Sequence, residues 1–132
     1  MNDVLYKKAR NRALIEQILH PKILHKMKTM MDDCKEGVMI VVIPLLVEKE
    51  LWGPFDRAVL VDCESETQIK RLIERENIDS EKAKTMMMAQ ASREQRLKLN
   101  EHLPTDIIEN NSKLIDLKGK VHLLNQKLFS LI

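Results

Sequence analysis

Two pairs of arginines hold the clearest anion-binding chemistry in the sequence. Arg93 and Arg96 of "SREQRL" stand three apart, and Arg71 and Arg75 of "QIKRLIERE" stand four apart. Either spacing puts both guanidinium groups on one helical face. Arginine's planar fork suits bidentate contacts, so each pair could clamp phosphate oxygens. The competing use is a solvated basic face, and Arg71 and Arg75 have Glu74 and Glu76 beside them for surface ion pairs. Within the second pair, Arg75 stands closer to the loop that follows and is the better phosphate candidate. Glu48, closing "PLLVE", is either a ligand-positioning carboxylate or a helix N-terminal glutamate favoured by the dipole. Asp62 ends an apolar run and is read as a cap on the next loop. Asn110 and Asn111 follow another such run, as ligand contacts or as turn residues. His20 and His25 straddle Pro21 and make a poor metal pair. Cys34 and Cys63 have neither metal spacing nor an activating pattern.

The elements that must position these residues are readable from periodicity and caps. Val4, Leu5, Leu14, Ile15, Ile18 and Leu19 recur at helical spacing. Pro21 is expected to end that helix and to open a second one, to about Asp33, with His20-Pro21 as the corner. Val38–Ile43 and Arg57–Val61 read as strands that are apolar on both faces, as in a parallel sheet covered by helices. About 13 residues (Pro44 to Asp56) join them, enough for one short helix near Leu45–Leu51. Ser65 with Gln68 reads as a capping box and opens a helix to about Glu76. Further helices are expected from Ser80 to about Ala89 and, from the Ser92–Gln95 box, to about Leu99. The Met86-Met87-Met88 run is read as filling core gaps between them. Thr105–Asn110 reads as a third strand. Ser112 is expected to cap a last helix whose buried stripe is Leu114, Leu117, Val121, Leu124 and Leu128. Residues 63–100 thus form a long charged helical excursion between two strands, the kind of insertion that serves as a lid. The fold class is α/β.

Composition narrows the function. The 132 residues are 44% hydrophobic and 32% charged, as expected of one globular domain. Twenty-two basic against 20 acidic residues give +2, too balanced to announce nucleic acid or an anionic membrane. The basic residues Lys7, Lys8, Arg10 and Arg12 do not outweigh that balance. With 3% aromatic residues there are no stacking platforms for single strands. The longest apolar run, Val38–Val47, cannot span a bilayer. No apolar signal region opens the chain, so a reducing cytoplasm is expected.

Taken together, "IEQILHPKI", "VVIPLLVEKELWGPFDRAVLVD", "QIKRLIEREN", "AQASREQRLKL" and "TDIIENNS" resemble the bacterial dephospho-CoA kinase family, in the family's order, from about Ala13 to Asn111. The resemblance implies a P-loop-type three-layer fold and transfer of the γ-phosphate of ATP, with Mg²⁺, to the ribose 3′-hydroxyl of dephospho-CoA. It implies that Arg93 and Arg96 act in catalysis from a lid. His20 and Pro21 would lie near the acceptor, and Pro44, Leu45 and Leu46 would line a pocket for its pantetheine arm. Glu48 would position Mg²⁺ or a ribose hydroxyl, Arg75 would serve the nucleotide, and Asn110 and Asn111 would touch adenine.

Two departures qualify the resemblance. The segment from Gln90 to Asp106 is a few residues longer than the family pattern. Family members also begin with a strand, a GxxxxGK[ST] loop, a helix and an Asp-containing segment. Here the only glycines are Gly37, Gly53 and Gly119. Val121 follows the single Gly-Lys pair, Gly119-Lys120, and Leu114 stands where that motif's first glycine belongs. The chain is therefore expected to be a single-domain fragment: the helical acceptor side (1–37), the lid and the last three strands, with the first strands missing. It is expected to be inactive without a missing segment or partner chain. The alternative is a non-catalytic protein that docks on a partner through an open strand edge.

Overall fold

A computed structural model describes residues 9–132, so the expectations for Val4, Leu5, Lys7 and Lys8 lie outside the described residues. The chain divides into two compact units, Met1–Ile40 and Val41–Ile132. Among the described residues the first holds helix α1 (Ala9–Asp33). Pro21 sits inside it rather than at a corner, so the expected pair of helices is a single one. The proline removes one N–H and crowds the carbonyl four residues earlier. With the helix already nucleated on both sides, propagation continues through that local cost.

The second unit is built on two parallel strands, β1 (Ala58–Asp62) and β2 (Thr105–Glu109). Their register pairs Ala58 with Thr105, Leu60 with Ile107 and Asp62 with Glu109. Ala58 N donates to Pro104 O at one end and Asn110 N donates to Asp62 O at the other, extending the ladder beyond the strands. A parallel pair needs a long crossover, and three helices fill it: α2 (Ser65–Glu76), α3 (Ser80–Met88) and α4 (Arg93–Leu97), followed by a 3₁₀ turn (Lys98–Glu101). The last helix is α5 (Leu114–Ser130).

Several local choices explain these boundaries. Asn77 ends α2 in the left-handed region at φ 51°, a conformation asparagine tolerates. Asp79 caps α3, its side chain accepting from Lys82 N at 2.8 Å. The Ser92–Gln95 capping box forms in both directions. The other two expected caps differ. Glu64 and Lys113 are the N-cap residues of α2 and α5, and neither makes a side-chain cap.

The hydrophobic core centres on Ala58, Leu99 and Leu103, against which Leu46, Val47, Trp52 and Phe55 pack. The strands are not covered on both faces as expected, because Val59, Val61 and Ile107 are exposed while Ala58 and Ile108 are buried. Val38–Ile43 makes no strand, since among the described residues it has no ladder partner, and an extended segment becomes a strand only by pairing. Pro44–Pro54 is a run of turns rather than a helix. Lys49 N reaches Leu45 O but Glu50 N reaches Val47 O, and Glu50 adopts φ 52°, which interrupts regular winding. In α5 only Leu117, Leu124 and Leu128 of the expected stripe are half-buried. Met86 and Met88 are exposed, so the methionine run does not fill the core.

Candidate functional site

Open sheets of parallel strands present ligand sites beyond the carboxyl ends of their strands. Asp62 ends β1 there, 3% exposed, and a buried carboxylate needs hydrogen-bonded compensation. Arg93, the first residue of α4, supplies it. Its Nε donates to both Asp62 oxygens at 3.2 and 3.0 Å and its Nη2 donates to Oδ2 at 2.8 Å. The hydrogen bonds that Asp62 accepts and then its charge raise the Arg93 pKa, with smaller contributions from Glu64 and Glu109. Arg93 therefore stays cationic at any physiological pH.

The segment after β2 is tied to the same end of the sheet. Asn111 Oδ1 accepts from Glu64 N at 2.8 Å, and Arg71 donates to the carbonyl of Asn110. Lys120 Nζ donates to the carbonyl of Glu109 at 3.0 Å. Arg71 thus spends its fork on a backbone carbonyl rather than on a surface glutamate, whereas Arg75 pairs with Glu76 at 2.8 Å on the exposed side of α2.

A second cluster forms where α3 gives way to α4. Glu48 Oε1 accepts from Ala91 N at 2.9 Å, and Arg96 Nη1 donates to Ala91 O at 2.7 Å. Both polar groups of one buried peptide position are held by side chains from opposite directions. Beside them lies an open groove of about 530 Å³ lined in part by Glu48, Trp52, Gln95, Lys98 and His102. Trp52 stacks on His102 there, with ring centroids 4.3 Å apart and planes 22° apart.

The structure therefore brings Arg93, Asn110 and Asn111 to one end of the sheet, and Glu48 and Arg96 to the Ala91 hinge. Pro44, Leu45 and Leu46 lie in the turn run, with Leu46 against the core. Arg75 stands apart on α2. His20 and Pro21 lie in the other unit, on α1. The residues missed from sequence are Asp62 as the partner of Arg93, and the group at the opposite strand ends. There Asp106 accepts from Arg57 Nε at 2.5 Å and Nη2 at 3.2 Å, and also from Lys127. First the hydrogen bond from Arg57, then that from Lys127, hold the Asp106 carboxyl down at about 2 against burial. A lone acid at a strand terminus was the only sequence signal for Asp62. Among the described residues no three His, Cys, Asp or Glu side chains could hold a metal ion, and no helix is long and apolar enough to cross a membrane.

A family model described as "Dephospho-CoA kinase" matches residues 1–116. The dephospho-CoA kinase of Vibrio parahaemolyticus is 33% identical over 127 residues, 96% of this chain and 60% of that protein. That of Thiobacillus denitrificans is 36% identical over 121 residues, 91% of this chain and 58% of the relative. The chain thus spans about 60% of the length of these curated relatives. In fold it is similar to a solved protein from Thermus thermophilus (TM-score 0.70, 19% identity, covering 96% of this chain and 64% of the other). It is similar likewise to the solved dephospho-CoA kinase from Campylobacter jejuni (TM-score 0.63, 20% identity, 98% and 64%).

Proposed function

The chain belongs to the dephospho-CoA kinase family, and from that membership we propose that it serves ATP-dependent phosphorylation of the ribose 3′-hydroxyl of dephospho-CoA, in the cytoplasm. The observation that carries this reading is the grouping of Arg93, Asn110 and Asn111 beyond the carboxyl ends of β1 and β2, where sheets of this kind bind ligands. Arg93 and Arg96 act on the phosphates, Arg75, Asn110 and Asn111 serve the nucleotide, and Pro44, Leu45, Leu46 and Glu48 serve the acceptor; His20 and Pro21 of α1 are acceptor candidates by the family resemblance alone.

The 132 residues contain no GxxxxGK[ST] loop. Phosphoryl transfer depends on such a cradle of backbone N–H groups, its lysine and its hydroxyl on Mg²⁺. Among the described residues no cluster of three or more His, Cys, Asp or Glu side chains could hold the metal by itself. The chain's contribution is therefore to bind and orient: it holds cations at the strand ends and the hinge of the helical excursion in place. The test is calorimetric titration with dephospho-CoA and with ATP, followed by coupled detection of ADP release. Binding with negligible turnover is expected. Robust turnover by the pure 132-residue chain would show that it needs no further cradle. Absence of binding to either substrate would remove the kinase reading.

A second reading, a non-catalytic protein docking through an open strand edge, is favoured by Val38–Ile43. This apolar segment has no ladder partner among the described residues, with Ile40 78% and Val42 86% exposed. Unpaired edges are templates for another chain. Such a protein would purify as a stable complex and bind neither substrate alone.

A further inference from the structure

We propose that Asp62 is a positioning residue that orients Arg93, leaving the outer edge of the guanidinium presented to a polyphosphate anion beyond the strand ends. This rests on the kinase reading and names a residue that the reading does not use. Three observations carry it. Asp62 is 3% exposed and sits at the last position of a paired strand, so its carboxylate is fixed by the sheet. Its oxygens take Nε and Nη2 of Arg93, the inner side of the fork, while no protein acceptor holds Nη1 among the described residues. The Arg93 side chain remains 40% exposed, so solvent and a ligand can reach the guanidinium, whose Nη1 is left to donate to phosphate oxygens. Geometry of this kind turns a flexible cation into a preoriented one, which reduces the ordering cost of binding.

Electrostatics alone predicts the opposite outcome, and that makes the idea testable. Asp62 is an anion, and with Glu64 and Glu109 also acting on Arg93 the neighbourhood is rich in negative charge. Removing Asp62's charge should strengthen anion binding if only charge matters. If Asp62 acts by positioning, its removal weakens binding.

The experiment titrates inorganic tripolyphosphate and, separately, ATP into the full chain. It follows the ¹⁵N-resolved Nε–Hε resonance of Arg93, a readout that also reports its hydrogen bond without ligand. In the wild-type chain a slowly exchanging Nε–Hε signal is expected, shifting on addition of either anion. In Asp62→Asn, an isosteric change, that signal should lose its protection and affinity should fall about tenfold, the scale of one charge-assisted contact. Arg93→Lys keeps the charge, loses the fork and should weaken binding similarly, and far-UV circular dichroism of both variants checks folding. Equal or tighter anion binding by Asp62→Asn overturns the inference while leaving the kinase reading intact. Failure of the wild-type chain to bind either anion overturns both. If Asp62→Asn does not fold, the Arg93→Lys arm decides, because unchanged affinity there means the fork is not what binds.

Discussion

Replacing Glu48 by alanine should loosen one peptide, that of Ala91, and little else. Glu48 Oε1 accepts from Ala91 N at 2.9 Å, and the Ala91 residue is buried, so the amide loses its acceptor without gaining full access to water. Hydrogen bonds to a charged group contribute about 1.5–3 kcal/mol. Glu48 is largely exposed, which places the contact at the lower end, about 1.5 kcal/mol. That corresponds to roughly tenfold in the equilibrium for local opening. Amide hydrogen exchange resolved at Ala91 measures it directly: exchange there should be about tenfold faster in Glu48→Ala, with β1 and β2 amides unchanged. Glu48→Gln keeps a neutral acceptor and should fall between. Arg96→Met removes the donor on the Ala91 carbonyl and should accelerate the same amide. If Ala91 exchanges at the wild-type rate in Glu48→Ala, the carboxylate does not hold the hinge, and its role reverts to a ligand contact.

The other expectations follow from the same geometry. Asp106 is held at about 2 against an ordinary 3.8, so its stabilisation is full above pH 4 and is lost as the pH falls toward 2. At about 1.4 kcal/mol per pH unit the ceiling is roughly 2.5 kcal/mol, which solvent screening lowers to about 1, and denaturant titrations at pH 5 and pH 2.5 should differ less in Asp106→Asn than in the wild type. Leu99→Ala opens the cluster around Ala58 and Leu103 and should cost about 2–5 kcal/mol, read as loss of the cooperative thermal transition. Arg71→Ala frees the Asn110 carbonyl and should weaken ATP binding more than Arg75→Ala, whose partner is an exposed glutamate. Equal effects would mean that the segment after β2 does not serve the nucleotide.

Much of the fold was legible because its signals are local. The Ser92–Gln95 box and the apolar strand runs Arg57–Val61 and Thr105–Asn110 each fix a boundary within one or two residues. What failed depended on partners or on competing costs. Val38–Ile43 has the composition of a strand, but strand formation depends on a neighbour, and composition does not supply one. Pro21 carries a strong breaking signal, yet its cost of a few kcal/mol is set against the helical turns on both sides, a balance that no single-residue rule contains. The caps at Ser65 and Ser112 failed by one residue each, since the serine of an S-x-x-Q or S-K-L pattern can equally begin the helix or precede its cap.

The site was legible in its residue types and not in its pairings, and the reason is sequence separation. Arg93 and Arg96 looked alike, three apart on one short helix, yet Arg93 turns to a carboxylate 31 positions away and Arg96 to a carbonyl five positions back. Glu48 reads from sequence as a ligand-positioning carboxylate or a helix N-terminal glutamate, and its partner in the structure is the backbone of an alanine 43 positions on. Backbone groups carry no sequence signature, so a side chain that holds a peptide is invisible until the chain is folded. The same holds for Arg71 with Asn110 and for Asn111 with Glu64 N. Of the polar residues singled out, Arg71, Arg96, Glu48 and Asn111 are spent on orienting backbone. Arg93 differs, since it is held by a buried side chain and retains an exposed edge. What sets Arg93 apart is orientation by a buried carboxylate with part of the guanidinium still exposed, and the substitutions at Asp62 and Glu48 separate that role from the hinge beside it.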